Sequence, residues 1–528
     1  MNVPSASLFR FGLPRLAGIL LAGALVASCA TSTEPPQTQA RSPSVAADVN
    51  IERVVLQAYR AIGDRHLYEP NFRNLSAETY RGFASADPAL VLETTDTSFT
   101  VKRDGREIMT RPTPQDTADG RAWGGMLAEL LAGSIDSSPA LRDSDRQTLI
   151  RQAMAATTKQ LDRNSRYADP EEARDNRFQR DGGGGIGITV ERTDDKKVMV
   201  RAVQEGSPSA KAGLQVGDQI MAIDGENMID RPLADVVRVL RGTIGTPVVL
   251  TVLRPSQGRE ITVGMKRARI IPTTVVYERR GDVALILLTG FNTATTDNLR
   301  TAIDKARAEI GRDLAGLIID MRGNRGGLLD QAQAVAELFI GDGTIFSTQG
   351  RHPDSRRTYR SGATRKTADL PVVVLMNGGS ASAAEIVAAA LQDRGRAVVV
   401  GTTSYGKGTV QTVVRLANEG ELILTWSRLQ APSGYTWNEL GVLPSICTAK
   451  VGDPNRLGTT SVDSNQSSLM RWHALRNPTQ AEVTDLRKIC PPGDNSPERD
   501  IEIASQLLHD RTLYAHAVQA ATQQAARP

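Results

Sequence analysis

Two short segments carry the residue types that a serine nucleophile and its base require. Residues 377–386 read NGGSASAAEI and place Ser380 and Ser382 directly after a run of apolar residues. Residues 405–411 read YGKGTVQ and place Lys407 between two glycines. Lysine is protonated in water at neutral pH, but burial disfavours its charge and can lower its pKa by several units. The two segments therefore predict a nucleophilic serine whose base is a buried lysine.

Two other interpretations account for parts of this pattern. If each motif stood alone, the serines would be read as helix caps and the glycine–lysine–glycine run as an exposed turn. The second alternative is a histidine base, for which the chain offers His66, His352, His473, His509 and His516. None of these is near the serines in sequence, which weakens a Ser-His-Asp triad without excluding it. The presence of both motifs together favours the serine and the lysine.

The elements predicted around the motifs would hold the serine at the start of a helix. The apolar run 372–376 is typical of a buried strand, and the alanine-rich run 383–392 is typical of a helix that ends near Gly395. A hydroxyl at such a strand-to-helix turn is exposed, and the helix N-terminus favours negative charge there. A second apolar strand at 397–400 leads into the loop that bears Lys407.

Both motifs resemble those of the carboxyl-terminal processing (tail-specific) proteases, a family of PDZ-containing serine peptidases with a Ser/Lys dyad. That family shows Ser-Ala-Ser-Ala/Ser-x-Glu-Ile and then Phe/Tyr-Gly-Lys-Gly-x-Val-Gln. Its nucleophile precedes its lysine by 25 positions, which selects Ser382 over Ser380 as the partner of Lys407. The resemblance also implies that Gln411 orients the lysine. It further implies an α/β fold in which the protease core is a crotonase-like ββα spiral.

An oxyanion hole needs backbone N–H groups directed at the carbonyl oxygen under attack. The amide of Ala383, directly after the nucleophile, is one candidate. By resemblance the second is Gly326, within residues 320–327 (DMRGNRGG), where the family has Asp-Leu-Arg-x-Asn-Pro-Gly-Gly. Arg325 replaces the usual proline. A tight turn would explain the glycines of this loop but not the whole string.

Residues 182–263 carry a second recognisable unit. Its first part resembles the carboxylate-binding loop of a PDZ domain and consists of Gly185, Ile186, Gly187 and Ile188. Residues 205–225 complete the PDZ pattern, and the amphipathic stretch 233–240 is expected to form the wall of a groove. In such a domain, backbone N–H groups hold a terminal carboxylate and a sheet edge pairs with the last residues of a peptide. Fusion to a protease-like core favours substrate recognition over a purely scaffolding role.

The N-terminal residues predict the compartment. An apolar run at 16–26, preceded by arginines, is too short to read as an ordinary membrane span. It ends in VASC at 26–29, which resembles the bacterial lipoprotein box and makes Cys29 the predicted lipidation site. A plain secretory signal with an incidental cysteine is the alternative. We expect a lipoprotein anchored to the membrane in the periplasm, and Ala30 after the cysteine favours the outer membrane.

Composition restricts the partners and cofactors. A net charge of +4 from 63 basic and 59 acidic residues is too balanced to indicate nucleic-acid binding. No zinc-type or phosphate-loop pattern occurs in the sequence, so we predict neither a metal nor another cofactor. The two cysteines that follow Cys29, namely Cys447 and Cys490, are expected to pair as a disulfide in an oxidising periplasm.

These observations divide the chain into six predicted segments: a signal peptide at 1–28, a disordered tether at 29–49, a mainly helical domain at 50–180, a PDZ domain at 181–268, a protease core at 269–450, and a linker with a helical tail at 451–528. Within them we expect an insertion with a short hairpin at 84–121, a linker at 459–468 and one helix over 496–523.

The sequence therefore predicts a periplasmic, lipid-anchored serine endopeptidase that recognises C-terminal tails. Its expected partners are protein substrates with unstructured C-termini and the membrane, and an adaptor lipoprotein is a further candidate partner. The alternatives are a non-proteolytic lipoprotein scaffold and an apolar-ligand-binding protein on the same fold. Retention of both Ser382 and Lys407 argues against the ligand-binding alternative, and in the scaffold alternative Ser382 would be dispensable.

Overall fold

A computed structural model describes residues 50–362, 367, 369–453, 457–475, 478–491 and 497–522. The predicted signal peptide, lipidation site and tether lie outside these residues. The described residues form helices α1–α15 and strands β1–β22. This content agrees with the α/β class that the sequence predicts. No helix within the described ranges is long and apolar enough to cross a membrane.

The N-terminal region is mainly helical and contains α1 (Ile51–Arg65), α2 (Phe72–Ala84), β1 (Leu90–Thr94), β2 (Ser98–Arg103), β3 (Arg106–Pro112), α3 (Gly120–Ser137), α4 (Pro139–Asp143) and α5 (Arg146–Lys159). Each helix begins after an Asn, Asp or Ser whose side chain accepts a backbone N–H from the first turn, as at Asn50 and Asp119. The insertion holds a three-stranded antiparallel sheet, β1-β2-β3, and is thus larger than the short hairpin predicted there.

The PDZ unit follows a connecting strand and helix, and the elements from there on are β4 (Arg166–Ala168), α6 (Pro170–Asp181), β5 (Gly183–Gly185), β6 (Ile188–Arg192), β7 (Val198–Val203), α7 (Pro208–Lys211), β8 (Gln219–Ile223), β9 (Glu226–Asn227), α8 (Leu233–Leu240), β10 (Pro247–Arg254), β11 (Arg259–Lys266) and β12 (Ala268–Ile270). Its sheet has the order β11-β10-β8-β7-β6, and β5 pairs with β12 where the chain enters and leaves the unit. Val236 and Leu240 of α8 pack into its core.

The protease core consists of β13 (Val275–Arg280), β14 (Val283–Leu288), α9 (Thr295–Ile310), β15 (Gly316–Asp320), α10 (Leu329–Glu337), β16 (Gly343–Gln349), β17 (Arg357–Ser361), β18 (Val372–Met376), α11 (Ala383–Asp393), β19 (Val398–Gly401), β20 (Thr409–Arg415), β21 (Glu421–Gln430) and β22 (Ile446–Cys447). One sheet has the order β13-β14-β15-β18-β19-β22, with every pair after the first parallel. Both faces of this sheet are covered, which explains why its strands read as continuous apolar runs.

The second sheet of the core has the order β17-β16-β21-β20, and β4 joins it by pairing with β21. Strands β20 and β21 form the hairpin that follows the lysine loop. The loops that carry the sequence motifs follow β15, β18 and β19. Because these strands are parallel and adjacent, their carboxyl ends bring the three loops to one edge of the sheet.

The C-terminal tail packs onto the core as four helices: α12 (Thr459–Ala474), α13 (Gln480–Arg487), α14 (Pro497–His509) and α15 (Arg511–Thr522). The linker predicted at 459–468 is therefore wrong. Its Ser, Thr and Asn residues are weak helix formers, but Val462, Leu469 and Trp472 are buried along one face of α12, and this packing outweighs propensity. The single helix predicted over 496–523 is divided at Asp510, whose carboxylate caps the start of α15.

Candidate active site

Ser382 sits at the turn between β18 and α11, as the sequence predicts. Its backbone adopts φ +57° and ψ −116°, a conformation that non-glycine residues rarely adopt and that is found where an element must project a side chain sharply. The residue is half-buried, and α11 begins directly after it. The serine is thus held at the N-terminus of a helix, where negative charge is favoured.

Ser380 has a different environment. Its side chain is fully buried, and its hydroxyl donates to the carbonyl of Met321 at 2.8 Å and accepts from the N–H of Asn377 at 3.0 Å. Both interactions hold the turn together. Because this hydroxyl is already committed to the backbone, the geometry distinguishes Ser382 from Ser380 without reference to any other protein.

The carboxylate of Glu385 ties the serine turn to the lysine loop. Its Oε2 accepts the N–H of Ser382 at 2.8 Å and the N–H of Lys407 at 2.9 Å. Its Oε1 accepts the N–H of Gly406 at 2.7 Å and the hydroxyl of Ser404. The side chain is fully buried, and this desolvation raises the pKa of Glu385 against the lowering effect of the four donors. The sequence analysis did not single out this residue, although it lies within the serine motif.

Lys407 is half-buried, and its pKa is lowered. Desolvation is the main cause, the positive charge of Arg166 adds to it, and the charge of Glu385 opposes it. The flanking glycines have a steric role. A Cβ at Gly406 would lie 2.8 Å from the carbonyl carbon of Glu439, and a Cβ at Gly408 would lie 2.4 Å from the amide nitrogen of Asn438. Only glycine allows the lysine loop to lie this close to the loop opposite.

Gln411 lies at the start of β20, close to the lysine loop, but contacts a different side chain. Its Nε2 donates to Thr409 Oγ1 at 2.9 Å, and the same hydroxyl accepts from Asn164 Nδ2 at 3.2 Å. Within the described ranges, no hydrogen bond joins Gln411 to Lys407. The structure thus places Gln411 near the site without showing the orienting contact that the resemblance implies.

The two candidate oxyanion donors lie side by side. A Cβ added to Gly326 would be 2.7 Å from Ser382 Cβ and 2.9 Å from the amide nitrogen of Ala383, so the loop after β15 touches the serine turn. The N–H of Ala383 has no acceptor among the described residues, as expected for the first residue of a helix. The N–H of Gly326, however, donates to Asn324 Oδ1 at 2.8 Å and is already occupied. The next amide, that of Gly327, makes no hydrogen bond with the described residues.

The C-terminal tail supports this loop, a contribution that the sequence analysis missed. Arg322 forms ion pairs with Asp320 at 2.6 Å and with Asp500 of α14 at 3.0 Å, and all three side chains are nearly buried. A second attachment is the disulfide between Cys447 and Cys490, which joins the tail to the last strand of the core. The disulfide could be predicted from the sequence, because Cys447 and Cys490 are the two cysteines that follow Cys29. The ion pair between Arg322 and Asp500 could not, because the two residues are distant in sequence.

All five histidines fall within the described part of the chain, and none forms a hydrogen bond with Ser382. Each has its carboxylate neighbour elsewhere, in the pairs His66–Asp162, His352–Asp354, His473–Asp393, His509–Asp282 and His516–Asp463. The structure therefore gives no support to a histidine base. No group of three or more metal-ligating side chains is found within the described residues.

The PDZ loop leaves two backbone N–H groups without an acceptor in the described structure. The amides of Ile186 and Gly187 donate to no acceptor in the described structure, and Gly187 has φ +81°. A Cβ there would lie 2.3 Å from Ser207 Cβ, so glycine is required. A cavity of about 680 Å³ lies between one face of α8 and helix α6, and Gly182, Gly183 and Gly184, directly before this loop, line it. Its lining combines apolar side chains, among them Val237 and Phe178, with several arginines.

Comparison with known proteins agrees with this arrangement. Residues 282–448 match the model of peptidase family S41, and residues 199–254 match a PDZ domain model. The chain is 38% identical over 304 residues to a carboxy-terminal-processing protease of Bartonella bacilliformis, covering 57% of this chain and 70% of that protein. It is 33% identical over 265 residues to a probable CtpA-like serine protease of Staphylococcus epidermidis, and spans 52% of that relative's length.

A solved structure described as a photosystem II D1 C-terminal processing protease is 24% identical and aligns with 78% of this chain and 96% of its own, with a TM-score of 0.38. The length and identity of the match to the Bartonella protein, together with the family model over the core, establish the relationship. The chain belongs to peptidase family S41 and is a serine-type peptidase with a PDZ domain.

Proposed function

We propose that this peptidase is a lipid-anchored periplasmic endopeptidase that binds C-terminal tails through its PDZ domain and cleaves with a dyad of Ser382 and Lys407. The observation that carries the chemistry is the position of Glu385. One buried carboxylate accepts the backbone N–H groups of both proposed dyad residues, so the nucleophile turn and the lysine loop are fixed to each other. Such rigid positioning is what a nucleophile and its base require.

In the proposed reaction, neutral Lys407 takes the proton from Ser382 Oγ as this oxygen attacks the peptide carbonyl. The developing oxyanion is stabilised by the N–H of Ala383 and by an amide of the loop at 326–327. Collapse of the tetrahedral intermediate breaks the C–N bond, and Lys407 returns the proton to the leaving amine. Water then hydrolyses the acyl-enzyme with Lys407 again as the base. The partial burial that lowers the pKa of Lys407 supports this role.

For Gln411, the proposed role is to orient Lys407 after a change in its side-chain position. The present contact of Gln411 with Thr409 would have to be exchanged for one with the lysine. The N–H of Gly326 would likewise have to leave Asn324 before it could bind the oxyanion. Both changes are small movements of groups that already lie next to the site, and both would accompany substrate binding.

Substrate recognition is proposed to use the free amides of Ile186 and Gly187. Two unbonded N–H groups in a glycine-containing loop suit a terminal carboxylate. The name of the Bartonella relative, a carboxy-terminal-processing protease, points to the same class of substrate. The proposed substrates are therefore proteins with unstructured C-termini, delivered to Ser382 by capture of their last residues. An adaptor lipoprotein is a further proposed partner.

Helix α6 offers a physical connection between capture and cleavage. At the PDZ side, Phe178 lies under the guanidinium of Arg241, with 4.0 Å from the guanidinium carbon to the ring centroid. At the protease side, Arg177 and Arg180 each pair with the buried carboxylate of Glu421 at 3.0 Å. A tail entering the groove would contact the face of α6 that carries Phe178, while Arg177 and Arg180 of the same turn are bonded to the core. This arrangement favours a PDZ domain that gates activity over one that only tethers.

For the location, we propose that Cys29 is acylated and anchors the protein to the membrane, with the outer membrane favoured by Ala30. The support is the VASC sequence at the end of a short apolar run. The residues from 29 to 49 would then act as the tether between the lipid and the folded part of the chain.

The catalytic proposal is tested by three alanine variants assayed on an unfolded protein with a free C-terminus. Ser382→Ala and Lys407→Ala should each abolish cleavage, and the double variant should be no worse than either single one, because the two residues act as a unit. Ser380→Ala should remain active but lose about 1–2 kcal/mol of stability, since it removes two buried hydrogen bonds. Activity in Lys407→Ala, or loss of wild-type activity on metal chelation, would overturn the dyad.

The recognition proposal is tested by comparing substrates that differ only in a free or amidated C-terminus. Amidation removes the charge that the loop at 185–188 is proposed to bind, so cleavage should slow. Val237→Trp, which fills the groove beside α8, should raise KM alone if the domain only tethers, and should lower kcat as well if it gates. Equal cleavage of amidated and free substrates would refute carboxylate recognition.

A further inference from the structure

A second cavity, of about 620 Å³, opens beside the serine turn and is built in part from the C-terminal tail. Gly378, before the serines, and Tyr405, before the lysine loop, line its inner side. Helix α13 of the tail forms the opposite wall through Gln480, Thr484 and neighbouring side chains. The tail lies beyond residues 282–448, which match the family model. The cavity is therefore formed jointly by residues of the matched core and by the tail that follows it.

The cavity is joined to the lysine loop by a short series of hydrogen bonds. Arg487 of α13 donates to the carbonyl oxygens of Glu439 and Leu440, at 3.3 and 2.7 Å. The N–H of Glu439 donates to the carbonyl of Gly406 at 2.7 Å. The N–H of Tyr405 donates to the carbonyl of Ser380 at 2.9 Å. The wall and floor of the cavity are thus fixed to the two loops that carry the proposed nucleophile and base.

The charged groups of the lining carry an excess of positive charge. Two guanidinium groups, those of Arg163 and Arg487, face one carboxylate, that of Glu439. Arg163 lies 3.7 Å from Glu439, too far for a hydrogen bond, and its side chain is 50% exposed. Desolvation is the main cause that lowers the pKa of Arg487; the charge of Glu385 opposes it, and the nearby charge of Arg163 lowers it further. An anion between the two arginines would relieve this repulsion.

Other acidic groups on α13 are used elsewhere. Glu482 accepts the N–H and hydroxyl of Thr479 at the start of the helix, and Asp485 pairs with Lys488 at 2.8 Å. Neither lines the cavity. Arg163 also lies outside residues 282–448, which match the family model.

We propose that this cavity is a substrate subsite that binds an acidic side chain of the polypeptide a few residues from the scissile bond, with Arg163 as its main specificity determinant. The inference rests on the proposed function, because it assumes that a polypeptide is cleaved at Ser382. An extended chain passing the serine turn would enter the cavity over Tyr405, a residue that is 52% exposed. A carboxylate at the right distance along the chain would take the unused N–H groups of Arg163.

The test is a set of tail-bearing peptides in which each of the four positions on either side of the cleaved bond carries Asp or, in the matched peptide, Asn. At one position we expect Asp to raise kcat/KM about three- to fivefold over Asn, the size of a half-exposed ion pair. The preference should shrink in high salt, because screening weakens exposed charge pairs. In Arg163→Gln it should vanish, and in Lys488→Gln, an exposed position of the same helix region outside the cavity, it should remain.

A second pair of variants tests the wall itself. Thr484→Trp fills the cavity from α13 and should slow cleavage of the long peptides, whereas Ala481→Trp on an exposed part of the same helix should not. Labelling of Ser382 by a small fluorophosphonate should be equal in all variants, since that probe does not reach the subsite. The subsite alone would be overturned if the wild-type protein is labelled and cleaves, but the ratio of kcat/KM for Asp and Asn peptides is one at every position. The same holds if Arg163→Gln leaves that ratio unchanged. Failure of the wild type to be labelled or to cleave any peptide would overturn the proposed function with it.

Discussion

Replacement of Glu385 by glutamine is the most informative perturbation of the site, because it changes one charge and no shape. The carboxylate accepts four hydrogen bonds, and three of the donors are backbone N–H groups, those of Ser382, Gly406 and Lys407. In Glu385→Gln the new NH₂ must replace either Oε1 or Oε2. In both orientations the NH₂ group, a donor, faces at least one backbone N–H, which is also a donor and cannot rotate. The hydroxyl of Ser404 can rotate, so the better orientation leaves Gly406 without an acceptor.

The size of the effect follows from these contacts. A buried donor left unpaired costs about 1–3 kcal/mol, and the remaining bonds lose their ionic character. A neutral amide also escapes the desolvation that raises the pKa of Glu385, which offsets part of that loss. We therefore expect the free energy of unfolding to fall by only about 1–2 kcal/mol. The fall in kcat/KM should be about 100-fold, because small displacements of a nucleophile and its base cost that much.

The raised pKa also sets the pH dependence of this difference. In the folded protein Glu385 holds its proton more tightly than its ordinary value of 4.5 implies. Its contribution to stability is therefore fully present below that value and is lost as the pH rises through the folded pKa. Glutamine does not titrate, so Glu385→Gln should lack this pH-dependent part of the stability. A pH series of urea midpoints measures the difference directly.

The assay combines cleavage of an unfolded tail-bearing protein, fluorophosphonate labelling of Ser382 and urea denaturation. Asp393→Asn is the matched control, since it makes the same chemical change at a buried carboxylate of the same helix. Asp393 accepts the N–H of Ser433 at 2.9 Å and lies 3.6 Å from His473. The control should keep near wild-type activity. Wild-type kcat/KM in Glu385→Gln, or equal losses of activity in both variants, would refute the role that we assign to Glu385.

Three further predictions concern other parts of the chain. Cleavage should rise with pH as Lys407 loses its proton, with an apparent pKa below the ordinary 10.5; Lys407→Arg should be inactive, and a rate independent of pH would contradict a lysine base. Cys29→Ser should move the protein from the membrane fraction to the soluble periplasm, and equal membrane recovery would argue against the anchor. Replacing Cys447 and Cys490 by serine opens a link across 43 residues and should lower stability by about 4 kcal/mol in the chain-entropy model, whereas an unchanged urea midpoint would show that the link contributes nothing.

The sequence predicts those parts of the site that depend on local order along the chain. Ser382 follows a buried strand and precedes a helix, and the structure has both elements where the apolar and alanine-rich runs place them. Lys407 follows the next strand, and parallel neighbours bring their carboxyl ends together. The PDZ unit could be predicted equally well from the sequence, because its glycines and apolar residues occur at the spacing of the PDZ pattern. Periodicity and turn residues are short-range signals, and the core elements obey them.

What the sequence could not predict depends on contacts between distant segments. The N–H of Gly326 donates to the side chain of Asn324, a local hydrogen bond that an Asx-type turn could have suggested. Its consequence for the proposed oxyanion hole is apparent only from the position of Ala383 beside Gly326. The helix at 459–474 was missed because its polar residues hide a buried face that exists only against the core. The partner of Arg322 in the tail, Asp500, lies 178 residues away and has no sequence signal.

The tail completes the site at two separate points, and this gives it a role beyond stability. At the first point, Asp500 of α14 forms an ion pair with Arg322 in the loop of the proposed oxyanion donors. At the second, Arg487 of α13 donates to the carbonyl of Glu439, and the N–H of Glu439 donates to the carbonyl of Gly406 in the lysine loop. Two loops of the core are therefore held by helices that lie outside residues 282–448, the range that matches the family model. A segment that holds both the loop of the proposed oxyanion donors and the loop of the proposed base can influence the rate and the substrate preference of the core. Differences between this peptidase and its relatives should then be concentrated in the tail, at α13 and α14, rather than in the motifs around the proposed dyad.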